Sequence, residues 1–202
     1  SFLATMAAQI SEFASTLWVS VEEPKDWIKV RHIKAGGVPA SLAVATAAAR
    51  KKDAEGRTVG STFNVYEDLA PAIVKAKNEF AQMHFPPRLL RFVVLDTAVG
   101  LTTWGKGESP NDDAAVKRLF AHLQHLAEVH DLTIALIGHS NKGKHDYFAD
   151  AVAGTGAWTN SPRLSFVHAR DIREEYACVM RVAKSNLTTR FAGTYITKPI
   201  HT

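Results

Sequence analysis

The sequence predicts an α/β fold in which a mostly parallel sheet is flanked by helices, with antiparallel strands extending it at its C-terminal edge. Three observations predict it. Phe92-Val-Val-Leu-Asp96 and Leu132-Thr-Ile-Ala-Leu-Ile137 are apolar runs too short for a helix and rich in β-branched residues, the pattern of strands buried on both faces. Between them Val116, Leu119, Phe120, Leu123, Leu126 and Ala127 form one apolar stripe at helical spacing. Strands alternating with helices in this way imply right-handed crossovers to a parallel sheet.

Each element follows from local signals. Phe2, Leu3, Met6 and Ile10 recur at helical spacing, so the chain opens in an amphipathic helix. Thr16 to Val21 is a strand that stops at Glu22-Glu23-Pro24, where proline opens the next helix. That helix, Asp26 to Lys34, closes on Gly36-Gly37. Ser41 to Lys52 is rich in alanine and is expected to be a second short helix, followed by a polar surface loop over Lys51 to Gly60. Thr62 to Val65 is expected as a strand. Glu67 to His84 carries Leu69, Ile73, Val74 and Phe80 near helical spacing and is broken by Pro86-Pro87. Thr103 to Asp113 is a loop with Asn111 or Asp112 as the cap of the helix after it, which Asp131 ends. Ser165 to His168, Cys178 to Ala183 and Thr194 to Thr197 predict three closing strands, with Asp171 to Glu175 as a charged turn.

Composition narrows the class. The chain has 202 residues, enough for one domain with a sizeable core. Hydrophobic residues at 46% and charged residues at 22% are ordinary for a globular protein, and the longest apolar runs fall far short of a membrane span. Cys178 is the single cysteine, which rules out a disulfide or zinc framework and fits a reduced, cytoplasmic setting. The net charge of +4 permits a polyanionic partner without requiring one. The chain opens on Ser1 rather than Met and lacks a secretory leader, as expected of a segment cut from a longer protein.

Three strand ends carry polar groups: Glu22, Asp96, and His139 with Ser140. Open parallel sheets bind ligands at the carboxyl ends of their strands, and parallel strands put all three groups along that edge. Asp96 is read either as a magnesium ligand or as a turn cap. Glu22 is read as an acid that activates water or as a solvated helix-start residue. His139 is read as a group that senses a phosphate or as a hydrogen-bonded turn histidine. Together they point to phosphoryl transfer to water, which needs an acid for the cation, an acid for the water and a polar group on the phosphate. Asn141 to Thr155, with Lys142, Lys144 and His145, is equally a loop that touches nucleic-acid phosphates and a solvated surface. Packing is the favoured use of Trp104 and Trp158 over stacking on a base.

Five segments carry a resemblance: Leu17-Trp-Val-Ser-Val-Glu-Glu-Pro24, Phe92-Val-Val-Leu-Asp-Thr97, Ala135-Leu-Ile-Gly-His-Ser-Asn-Lys-Gly143, Gly154-Thr-Gly-Ala-Trp158 and Arg181-Val-Ala-Lys-Ser-Asn-Leu187. They resemble, in order, the RecA-like P-loop ATPase family, in the AAA domain branch with plasmid RepA-type hexameric replicative helicases and related phage proteins. The resemblance implies a RecA-like three-layer sandwich over residues 1–202 as a single ATPase core. It implies ATP and Mg2+ as cofactors, single-stranded DNA as partner and a homo-hexamer. Glu22 would be the general base, Asp96 the Walker B acid on magnesium and His139 the sensor of the γ-phosphate. Gly138 departs from the family, which often has a second histidine there. Lys184 matches a basic residue offered to a neighbouring subunit's nucleotide, with Arg190 and Arg181 as further candidates for that role; Arg163 is equally structural.

The family's phosphate cradle ends in Gly-Lys-Ser/Thr, and no such triplet occurs in this sequence. The expectation is a chain that lacks the first strand and the phosphate loop, with Ser1 as the last hydroxyl residue of that loop and a magnesium ligand. The implied activity, an ATP-hydrolysing motor on single-stranded DNA in plasmid or phage replication, then belongs to the longer protein. Two other readings stand beside it. One is a RecA-like nucleotide- or DNA-binding regulator of replication without processive unwinding, the other a structural domain with a degenerate site.

Overall fold

The computed structural model describes residues 2–46, 50–52, 58–60, 63–83, 88–138, 154–170, 178–186 and 194–197. The chain divides into two compact units, residues 1–103 with 122–138 and residues 104–121 with 139–202. In the first unit the order is α1 (Phe2–Ile10), β1 (Ser15–Ser20), α2 (Lys25–Lys34), a 3-10 turn (Pro39–Ser41), β2 (Leu42–Thr46), β3 (Arg50–Lys52), β4 (Thr58–Gly60), α3 (Val65–Met83) and β5 (Leu90–Asp96). Next come α4 (Asp113–His130), whose residues from His122 onward belong to this unit, and β6 (Thr133–Ile137).

Four strands make a parallel sheet in the order β2-β1-β5-β6. β1 and β5 are central and pair with Leu17 opposite Val93, Trp18 opposite Val94 and Ser20 opposite Asp96. Alternation splits their side chains between two buried faces. On one face Trp18, Leu42, Phe92 and Val94 form a core with Ala4 and Ala7 of α1 and Ile28 of α2. On the other face Leu17, Val19, Val93 and Leu95 are buried, and α3 packs along β1 and β5. α3 in turn meets the end of α4: the His122 imidazole contacts the Val65 carbonyl, and Lys77 donates to the His130 carbonyl at 2.7 Å. This is the α/β, RecA-like architecture that the sequence predicts.

Two local expectations are corrected. The described residues of Ser41 to Lys52 are not the expected helix: Pro39–Ser41 makes one 3-10 turn and Leu42–Thr46 is the strand beside β1. Alanine's helix preference is worth only tenths of a kcal/mol per residue. Docking Leu42 and Val44 against Trp18 and Ile28 outweighs it. In the polar stretch after it β3 and β4 pair antiparallel, with Lys51 opposite Val59, where a surface loop was expected; residues 53–57 lie outside the described residues. Of the expected strand Thr62 to Val65, Thr62 lies outside the described residues, and residues 63–65 lead into α3 instead of a strand. The Asn64 side chain accepts from the Tyr66 amide at 3.2 Å, while Asp68 accepts from the Asn64 amide at 2.8 Å, a reciprocal cap for α3.

The second unit holds the loop from Trp104, the start of α4, α5 (Ala157–Asn160) and an antiparallel sheet of β7 (Leu164–Arg170), β8 (Cys178–Ser185) and β9 (Thr194–Thr197). The three closing strands are therefore present and antiparallel, as expected, and hydrogen-bond as a sheet of their own. Asp112 caps α4, accepting from the Ala114 and Ala115 amides. Trp158 packs edge-on against Trp104 and Phe120 and donates its indole N–H to the Pro110 carbonyl at 2.9 Å. Gly154 (φ 104°) is left-handed, and a Cβ there would lie 2.7 Å from the Trp158 ring, so only glycine fits. Packing is thus the use this structure makes of both tryptophans. Cys178 is half-buried. Among the described residues no helix is long and apolar enough to cross a membrane.

Phe92 is 2% exposed at the middle of the first core. Phe92→Ala is expected to lower unfolding free energy by about 3–5 kcal/mol, read by urea denaturation.

Candidate functional site

The site begins with the β1–β5 ladder. Its register sets Ser20 beside Asp96 at the carboxyl end of the sheet, and the Val21 amide continues the ladder by donating to the Asp96 carbonyl at 2.8 Å. Beyond Ser20 the chain turns. The Ser20 hydroxyl oxygen accepts from the Glu22 amide at 3.2 Å and the Glu23 amide at 3.0 Å, folding the two glutamates back over the strand end. α2 then starts behind Pro24, its proline and Asp26 suiting the first turn of a helix. The far end of α2 is closed by Gly36 (φ 87°), a left-handed position that favours glycine.

This turn separates the two adjacent acids. Glu23 forms an ion pair with Arg31 of α2, with Arg31 Nη1 2.7 Å from Oε1. Glu22 is exposed, and its Oε1 receives a hydrogen bond from the Thr97 hydroxyl at 3.4 Å. Glu23 is therefore committed to helix α2. Glu22 lies where solvent water reaches it, beside the residue that follows Asp96.

Asp96 is different in kind. It is 6% exposed, at the end of a strand whose preceding residues are sealed in the core. Trp18 Nε1 donates to its Oδ2 at 3.3 Å, and the Ser20 hydroxyl is a second hydrogen-bonding partner. Burial pushes its carboxyl above the usual carboxylate range, and the nearby Glu22 charge adds to this. The Trp18 and Ser20 hydrogen bonds and the Arg31 charge pull the other way without cancelling it. Among the described residues Asp96 has no ion pair, and the Arg31 charge near it leaves the cost of burial only partly offset. The Asp96–Thr97 peptide is cis.

β6 completes the edge. Ile137 is opposite Asp96, and its carbonyl accepts from the Ala98 amide at 3.0 Å. Gly138 follows, exposed at the strand end. Of the residues singled out in the sequence, the structure brings Glu22 and Asp96 together. Lys184 lies in the second unit on β8, where its ammonium donates to the Asn160 and Pro162 carbonyls at the end of α5. Ser1, His139, Lys142, Lys144 and Arg190 lie outside the described residues, as do Ser140 and His145. Trp18, Ser20 and Thr97 were not singled out as site residues. The signal was available for Trp18, which precedes Ser20 by one pleat repeat and so shares a face with the strand-end acid.

The sequence pattern of the AAA domain family matches residues 6–145, more than half of the chain. The chain belongs to the AAA domain family. The match takes in Glu22, Asp96 and the His139 to Lys144 segment, and stops short of Lys184 and Arg190. An AAA domain is a nucleotide-hydrolysing P-loop domain, an NTPase, and nucleotide binding in it typically involves Mg2+. A search of curated proteins gives no match.

The residues present fit a magnesium-bound nucleotide. Both acids are hard oxygen donors, and Asp96 is a buried acid that a cation would relieve. Among the described residues no group of three or more His, Cys, Asp or Glu could cage a metal alone. Magnesium does not ask for such a cage, since it is commonly held by one or two carboxylates together with the substrate's phosphates and water.

Because the folded protein holds the Asp96 proton more tightly than the unfolded chain does, ionising Asp96 destabilises the fold as pH rises through the ordinary carboxylate range. Asp96→Asn removes that penalty while keeping an acceptor for Trp18. It is expected to raise the melting temperature at neutral pH, with the advantage over wild type shrinking as the pH falls below the ordinary aspartate value, measured by thermal denaturation along a pH series.

Proposed function

We propose that the Glu22–Asp96 edge hydrolyses the γ-phosphate of ATP. The observation that carries this reading is the adjacency of two acids in opposite states: Asp96 buried and without an ion pair among the described residues, Glu22 exposed and oriented by Thr97. Asp96 takes the inner role and holds the cation or a water on it. Glu22 takes the outer role, accepting the proton of the attacking water at its carboxylate. Bound Mg-ATP supplies the phosphoryl group and neutralises the charge that develops on it. His139, two residues past the end of β6, is proposed as the group that senses the phosphate. The remaining half of the site is a phosphate-binding loop that we place upstream, with Ser1 as its hydroxyl and a second magnesium ligand, in a longer parent protein.

The parent acts, on this reading, as a homo-hexameric motor on single-stranded DNA in plasmid or phage replication. Support comes from the resemblance of the Ala135–Gly143 and Arg181–Leu187 segments to such helicases and from Lys142 and Lys144 after the third strand end. Lys184, with Arg190, is proposed as the basic group offered to a neighbouring subunit's nucleotide. In the conformation described, Lys184 is held by α5, so that role requires it to leave the Asn160 and Pro162 carbonyls.

In the parent protein Glu22→Gln is expected to lower turnover by about a hundred- to ten-thousand-fold while nucleotide binding persists. Turnover near the wild-type rate would remove Glu22 from the role of base. The motor reading predicts displacement of one strand from a forked duplex when ATP is hydrolysed. Nucleotide-dependent DNA binding without displacement would favour a non-processive regulator instead.

A further inference from the structure

A buried indole N–H must find an acceptor or leave a polar group desolvated. Trp18 is 2% exposed, and its N–H finds the Asp96 carboxylate at 3.3 Å. The ring has little freedom to move, because Ala4, Ala7, Ile28, Leu42, Phe92 and Val94 pack in the same core cluster. Filling that volume needs only a large apolar ring, which the sulfur analogue of indole, benzothiophene, would supply. The N–H is the part that packing does not require, and it meets the one acid at the end of β5.

We infer that Trp18 is a positioning residue for Asp96. Its core-anchored N–H holds Oδ2, fixing the carboxylate in one rotamer at the carboxyl end of β5 for the hydrated magnesium of a bound nucleotide. The inference rests on the magnesium–nucleotide reading above and adds a residue to it. Held from behind by a rigid ring, Asp96 meets the cation without first losing side-chain freedom. Without the N–H the carboxylate samples other rotamers, and the loss falls on the cation more than on the nucleotide. Partners that orient a metal-binding group in this way typically contribute about ten- to a hundredfold in metal affinity or activity.

The test has two arms that fail separately. In the chain as it stands, the Trp18 indole N–H resonance is assigned by its loss in Trp18→Phe. Asp96→Ala is expected to move that resonance upfield and leave those of Trp27, Trp104 and Trp158 in place. An unmoved Trp18 signal overturns the inference whatever the protein hydrolyses. In the parent protein, Trp18→Phe is expected to raise the magnesium concentration for half-maximal turnover about tenfold, with KM for nucleotide at saturating magnesium within about twofold of wild type. If that variant does not fold, benzothienylalanine placed at position 18 keeps the ring shape, removes the N–H and takes its place. Equal loss at every magnesium concentration, or no change at any, overturns the inference. A wild-type parent without magnesium-dependent turnover is a failure of the functional reading and takes the inference with it, even where the indole resonance behaves as expected.

Discussion

The parallel ladder between β1 and β5 is the constraint on which the site depends. Its register sets Ser20 opposite Asp96, and with that one pairing the Ser20 turn, the two glutamates after it and Thr97 arrive at the same sheet edge. A slip of one residue would turn Trp18 and Ser20 to the other face, where Leu17 and Val19 now pack, and would part the indole from the acid. Burial on both faces makes such a slip costly. The residues that enforce the register are apolar and lie below the edge, so the core and the candidate site are two consequences of one strand pairing.

That arrangement sets stability against function at Asp96. A carboxylate at the end of a sealed strand loses hydration, and the hydrogen bonds from Trp18 and Ser20 together with the nearby Arg31 charge do not make that loss good. A fold selected for stability alone would place an amide or an apolar residue there. Retaining an acid makes physical sense where a cation arrives with the ligand and supplies the missing charge. Glu23 shows the contrasting solution one residue from Glu22: its partner Arg31 is built into the fold, and it is thereby committed.

Much of this was legible in the sequence because strong hydrophobic patterns mark buried strands. Phe92–Leu95 and Leu132–Ile137 are apolar on both faces, and the acid that ends the first run is conspicuous. The Leu42–Thr46 strand was not legible, since its alanines favour a helix locally and only docking against β1 makes them extended. The start of α3 was missed because Asn64 acts through its side chain on the backbone two residues on, which hydrophobic periodicity does not register. At the site, the two acids were visible as strand ends, but their division of labour was not. Which of Glu22 and Glu23 is tied down depends on where α2 places Arg31, a tertiary fact. For Trp18 the strand alternation gives the face it shares with the strand-end acid, but only the N–H contact separates it from any other large core residue.

The central claim is that the carboxyl edge of β1 and β5 holds a magnesium–nucleotide whose cation answers the buried charge of Asp96. It is tested most directly by following the carboxyl-carbon chemical shift of Asp96 through a pH titration of the protein, with and without magnesium and a non-hydrolysable ATP analogue. The account predicts a midpoint above the usual carboxylate range in the free protein, falling below that range when the complex binds. A midpoint within the usual range that the ligand leaves unmoved would contradict it.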